Sequence, residues 1–135
     1  MKYMIMLYGT QQWYDMAAGK PSGDVPVMSA DELAKMHEYM GTFHQKLVES
    51  GELVDAQGLT APVLARRVRL RGGAPVVTDG PYAETQEVLA GYTIVECAGI
   101  DRAIEIAAGL INPDAVGDEY VDVRPIADGV EELTL

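Results

Sequence analysis

The segment from Ser29 to Gly51 leaves this chain little freedom in its first half. Ser29-Ala30-Asp31-Glu32 has the spacing of a capping box, in which the serine oxygen accepts from the Glu32 amide and the glutamate reaches back. Met28 and Leu33 flank it as a hydrophobic staple. Leu33, Met36, Met40, Phe43 and Leu47 then recur at three- and four-residue intervals, one apolar stripe on a helix running to about Ser50. Gly51 supplies a left-handed stop. The rest of the chain offers strands. Residues 2–8 read as a first strand and 53–57 as a second. Residues 63–71 follow, with Leu64, Val68 and Leu70 alternating with outward arginines. Gly72-Gly73 is a tight hairpin signal, with 75–78 returning as its partner. Residues 92–97 read as a central strand and 101–110 as a second helix with Ala103, Ile104, Ala107 and Ala108 on its packing face. Asn112-Pro113 ends that helix, and 120–125 is the last strand. The order predicts a single α+β domain of ferredoxin-like type, βαββαβ with an inserted β-hairpin. A long irregular connection is expected over about 9–28, and a polar extension over about 127–135.

Length and composition bound what such a chain can do. Its 135 residues suit one domain that buries roughly two-thirds of its unfolded surface. With 48% hydrophobic residues, disorder is excluded as a class. No apolar run approaches the roughly 20 residues of a membrane span, and the N-terminus does not read as a secretory signal. Cys97 has no internal partner for a disulfide, and a buried free thiol fits a reducing cytoplasm. Asp and Glu number 21 against 10 Lys and Arg, a field that repels phosphate backbones, so neither nucleic acid nor membrane is an expected partner. Arg66, Arg67, Arg69 and Arg71 are a local exception, read as a solvated strand face in preference to an anion site.

Candidate chemistry concentrates in Val77-Thr78-Asp79-Gly80-Pro81-Tyr82-Ala83-Glu84-Thr85-Gln86-Glu87. Asp79 sits at a strand end, where a carboxylate can face a cleft, and Gly80-Pro81 turns the chain behind it. Asp79 is the candidate general base, with Glu84 and Glu87 as further carboxylates and Tyr82 or Tyr92 as donors to a developing oxyanion. The competing reading makes Asp79 a turn cap and the glutamates a solvated edge. Tyr8, Trp13, Tyr82 and Glu84 are the candidate substrate-binding residues, Trp13 as part of a lid over the pocket. His37 is the candidate partner acid or base, since histidine titrates near neutrality. His44 lies two turns further on, about 10.5 Å of rise, too far for both to bind one ion. Nothing has the spacing of a phosphate loop, a dinucleotide fingerprint, a nucleophile elbow or a zinc cluster. No metal and no cofactor is expected.

The central segment, with the following Gly91-Tyr92, resembles the signature of the DGPF family, a branch of the YCII-related proteins, usually read VTDGPFAETKE. Met1-Lys2-Tyr3-Met4 and Val121-Asp122-Val123-Arg124-Pro125-Ile126 fit the same pattern, so the resemblance covers most of the chain. It implies a homodimer, two sheets facing each other as a dimeric α/β barrel, because two helices can cover only one face of such a sheet. Small YCII-like proteins pair a histidine on the first helix with an aspartate before a proline. Alignment on the helix stop and the Val-Arg-Pro strand places Met40 and Asn112 at those positions, so the dyad is missing here. The resemblance leaves two functions open. One is a small enzyme using acid-base chemistry at Asp79 on a small-molecule ligand in a dimer cleft. The other is a non-catalytic ligand-binding or protein-interaction module, accessory to alternative sigma factor regulation.

Overall fold

The computed structural model describes residues 1–21, 26–113 and 119–134. It is an α+β chain. Strand β1 (Lys2–Gly9) is followed by helices α1 (Gln11–Ala17) and α2 (Ala30–Ser50), then β2 (Leu53–Gly58). Strands β3 (Arg66–Arg71) and β4 (Ala74–Asp79) form a separate hairpin. Strand β5 (Val88–Glu96), helix α3 (Ile100–Ala108) and β6 (Asp122–Pro125) complete the order. The main sheet is antiparallel throughout, in the order β2-β5-β1-β6.

The long helix forms as its end signals require. Ser29 Oγ accepts from the Glu32 amide at 3.1 Å, and the helix stops at Gly51. Its stripe buries Phe43 and Leu47 on the sheet, against Tyr3, Ile5 and Val95. Helix α3 completes that layer, with one difference from the expected face. Ala103 and Ala107 point inward, but Ile106 and Leu110 accompany them, while Ile104 and Ala108 are exposed. The true stripe follows i, i+3, i+4, i+7 from Ala103, which favours Ile106 over its neighbour. Thr93 is the one buried polar side chain among the described residues, and His44 Nε2 meets its hydroxyl at 3.2 Å. Gly91 is where β2 crosses most tightly: a Cβ there would lie 3.0 Å from the Gln57 carbonyl oxygen.

Side chains alternate across the sheet, so Met4, Met6, Tyr92 and Ile94 occupy the face opposite the helices. Asp55, Gln57, Asp122 and Arg124 flank them by register. Tyr92 donates to Asp55 Oδ2 at 3.1 Å on this face, and that bond pushes its own pKa up.

Two further expectations change. The connection over 9–28 is not irregular throughout, because α1 forms within it. Thr10 caps it by accepting from the Trp13 amide at 3.1 Å, a start signal obscured by the Gly and Pro residues that follow. Residues 22–25 lie outside the described residues. The hairpin begins later than expected, since Pro62–Leu64 is a turn of 3-10 helix. Gly72 and Gly73 make its turn with φ of 57° and 81°, the conformation two-residue hairpin loops demand. Neither of its faces is buried. Leu64, Val68 and Leu70, expected to point inward, are exposed at 58%, 63% and 72%, and Val77 across from Val68 is exposed too. The opposite face carries Arg67, Arg69 and Arg71.

Candidate functional site

A cavity of about 870 Å³ opens where β1 and β6 run out. Trp13 and Met16 of α1 form one wall, and Met36, Tyr39 and Met40 of α2 another. Leu110 to Pro113 close a third side. Leu7 and Val121 enter from the helix-covered face of the sheet, Tyr8 and Tyr120 from the open one, so the hollow wraps round the sheet end. Two tyrosines fix its walls. The Tyr14 hydroxyl donates to the carbonyls of Leu59 (2.8 Å) and Ala90 (3.3 Å), pinning α1 to the sheet edge, and its partial burial pushes its pKa up. Tyr39 donates to the Gly109 carbonyl at 2.7 Å and the Ile111 carbonyl at 3.1 Å, which holds the chain after α3 beside α2.

The polar chemistry of the cavity lies in two tyrosine-carboxylate pairs. Tyr8 donates to Asp122 Oδ2 at 2.7 Å, and Tyr120 donates to Glu87 Oε2. The two phenol rings lie 5.7 Å apart, tilted by 35°. The hydrogen bond to Glu87, followed by desolvation and the charges of Glu87 and Asp122, pushes Tyr120 up to about 12. Asp122 raises Tyr8 in the same way, with Arg124 opposing weakly. Both phenols therefore keep their protons at neutral pH and serve as neutral O–H donors. Glu32 and Glu119 also line the cavity, with Lys35 as the cation among its lining residues.

A second, smaller hollow of about 420 Å³ lies between α2 and α3, floored by Phe43, Leu47 and Ile106, and shares Lys35 and Tyr39 with the first. At its edge Arg102 grips Glu52 through two bonds (2.7 and 3.0 Å) and Glu105 through one (3.1 Å). Arg102, then Ser50, hold the Glu52 carboxyl at about 2, against an ordinary 4.5. This stabilisation is complete above about 4.5 and is lost as pH falls toward about 2. Glu52→Gln is expected to lower stability by about 1 kcal/mol at neutral pH, the modest figure reflecting the partial exposure of Arg102. The gap from wild type should close through that acid window. Thermal melts across the window check this; a gap constant with pH would assign the loss to packing.

The residues expected from sequence divide sharply. Tyr8 and Trp13 both line the larger cavity, Trp13 from a helix. Asp79 does not. It lies directly across the hairpin from Arg66, paired at 3.0 Å with its side chain 76% exposed. Tyr82 lies under the Arg67 guanidinium, 5.5 Å from ring centre, and the Glu84 carbonyl accepts from the Gln12 amide at 3.4 Å. His37 is exposed on α2. None of these four lines the cavity. Of the three carboxylates in the central segment, only Glu87 does. Met40 and Asn112, the positions where the resemblance places a histidine and an aspartate, both line it.

The chain matches the YCII-related domain over residues 1–127. It belongs to that family. It is also similar to an uncharacterised protein of Rhizobium meliloti (strain 1021), 33% identical over 99 residues, which is 73% of this chain and 79% of that protein. Family membership covers every element that builds the cavity: β1, α1, α2, β5, α3 and β6 all fall within the matched residues. Among the described residues no helix is long and apolar enough to cross a membrane.

Tyr120 and Asp122 were not singled out by sequence reasoning. The available signal was period-two alternation: Tyr120, Asp122 and Arg124 fall on one face of the last strand, opposite Val121 and Val123. Asp122 stands directly across from Met6, within reach of Tyr8.

Proposed function

We propose that this YCII-related protein binds a small organic molecule in the larger cavity and transfers a proton there. Glu87 acts as base, and Tyr120, hydrogen-bonded to it, becomes the donor to the ligand once Glu87 has taken the proton. The observation that carries this reading is the side-by-side pair of tyrosine-carboxylate contacts on the wall of a hollow that also holds Met40 and Asn112. Glu87 would take a proton from a carbon or oxygen of the ligand. The electron pair left behind would end on a ligand oxygen; Glu87, now protonated, would donate to the Tyr120 oxygen and free that hydroxyl to turn and donate to the ligand. With Met40 and Asn112 unable to exchange protons at ordinary pH, the proton chemistry falls to the carboxylates instead. In a single protomer Asp79 lies outside this cavity, tied to Arg66, so the role expected of it passes to Glu87 in this reading.

The reading includes a second copy of the chain. The strand order β2-β5-β1-β6 is that of a ferredoxin-like sheet, and helices cover only its inner face. Met4, Met6, Tyr92 and Ile94 on the other face suit a facing sheet, giving a dimeric α/β barrel. Tyr8 and Tyr120 enter the cavity from that same face, so a second copy would close the mouth over them. The single half-buried thiol of Cys97 fits a cytoplasmic protein.

The test is a metabolite screen read by thermal shift, followed by turnover assays of each hit. Glu87→Gln is expected to cut turnover by at least about 100-fold with little change in melting temperature. Asp79→Asn should retain it. The reverse pattern returns the base to the hairpin. Hits bound but never consumed by wild type would leave a ligand-binding module without chemistry.

A further inference from the structure

We infer that the larger cavity selects an organic cation, a primary or methylated amine carried on an apolar body. This rests on the reading of that cavity as the ligand site. Its apolar part includes Met16, Met28, Met36 and Met40 beside branched residues such as Leu7 and Ile111, and the methionines are unbranched and polarisable side chains that adapt to varied hydrocarbon shapes. Its aromatic part comprises Trp13, Tyr8, Tyr120 and Tyr39, rings whose faces attract cations within about 6 Å. Its charge points the same way. Glu32, Glu87 and Glu119 face Lys35 alone among the lining residues, and Asp122 stands behind Tyr8.

The tyrosine pairs sharpen this selection. Tyr8 and Tyr120 give their protons to Asp122 and Glu87, so each phenol oxygen offers lone pairs to a ligand N–H. An ammonium is therefore offered acceptors, carboxylates and aromatic rings by one lining. A carboxylate of the same shape meets three glutamates and would lean on Lys35, which also lines the neighbouring groove.

The experiment compares three ligands of one shape: 4-phenylbutylamine, 4-phenylbutan-1-ol and 4-phenylbutanoate. Trp13 is the only tryptophan, so its fluorescence reports binding at the cavity wall. The amine is expected to bind about ten-fold more tightly than the alcohol, and the carboxylate most weakly. In the triple variant Glu32→Gln, Glu87→Gln, Glu119→Gln the amine's advantage over the alcohol should fall to two-fold or less, with far-UV circular dichroism and the melting temperature showing that the variant has folded. An amine bound no better than the alcohol, or an advantage that survives the triple variant, overturns the inference and leaves the cavity as a ligand site. Absence of binding by all three, by Trp13 fluorescence and by calorimetry, overturns the site itself.

Discussion

Ile5→Ala is expected to cost about 3–4 kcal/mol and to lower the melting temperature by roughly 10–15 °C. Ile5 is 0% exposed in the middle of β1, a central strand bonded to β5 on one side and β6 on the other. Its side chain belongs to the cluster of Tyr3, Val95, Phe43, Leu47 and Ile106. Truncation removes methyl groups from the junction where both helices press on the sheet. A close-packed layer of this kind relaxes only partly, so a cavity term adds to the lost transfer free energy. A loss of that size is a large share of the 5–15 kcal/mol typical of domains. The informative control is Met4→Ala, one residue away on the opposite face. In a bare protomer Met4→Ala should cost far less than Ile5→Ala, and the two costs should converge only if the open face is itself covered. Chemical denaturation of both variants at two protein concentrations separates these outcomes.

The second large effect concerns that open face. Met6→Lys combined with Ile94→Lys is expected to abolish self-association, leaving a folded monomer whose ligand affinity falls at least ten-fold. The two residues lie near each other on β1 and β5, on the side away from both helices. Facing sheets would bring a second copy of the same charges within a few ångströms, where like-charge contact and desolvation oppose docking. In the monomer the lysines reach water and cost the fold little. Light scattering gives the assembly state, and Trp13 fluorescence gives the affinity. A variant that stays dimeric would move the interface elsewhere. A monomer with undiminished affinity would show that one protomer suffices for the site.

Much of the framework was legible because it rests on local rules. The Ser29 cap, the stripe from Leu33 to Leu47 and the Gly51 stop each involve residues a few positions apart, and α2 spans Ala30–Ser50 accordingly. The Gly72-Gly73 turn is equally local. What escaped depends on longer range. Helix α1 is only seven residues long, held by the Thr10 cap and by Tyr14 bonding to carbonyls 45 and 76 residues away. Strand β5 begins at Val88, before the glycine that punctuates it, because pairing with β1 extends through Leu89 to Gly9. The candidate site shows the same division. Tyr8 and Trp13 stood out as aromatic residues beside a predicted loop. The Tyr8–Asp122 contact spans 114 residues and the Tyr120–Glu87 contact 33, and no spacing in the chain announces either. Asp79 drew notice through its turn chemistry; in the protomer its carboxylate pairs with Arg66 across the hairpin, a contact set by strand register and not by neighbouring residues.

The hairpin of β3 and β4 has a consequence for how such a protein can diversify. Its bonds are mostly its own, it contributes nothing to the buried cluster, and it is anchored at its base by contacts such as Gly80 to Ala65 and Val63 to Gln11. Residues may be added or removed at its tip without disturbing the layer that keeps the chain folded. The length and sequence of the ribbon are thus free to vary while the folding layer of this short polypeptide stays as it is.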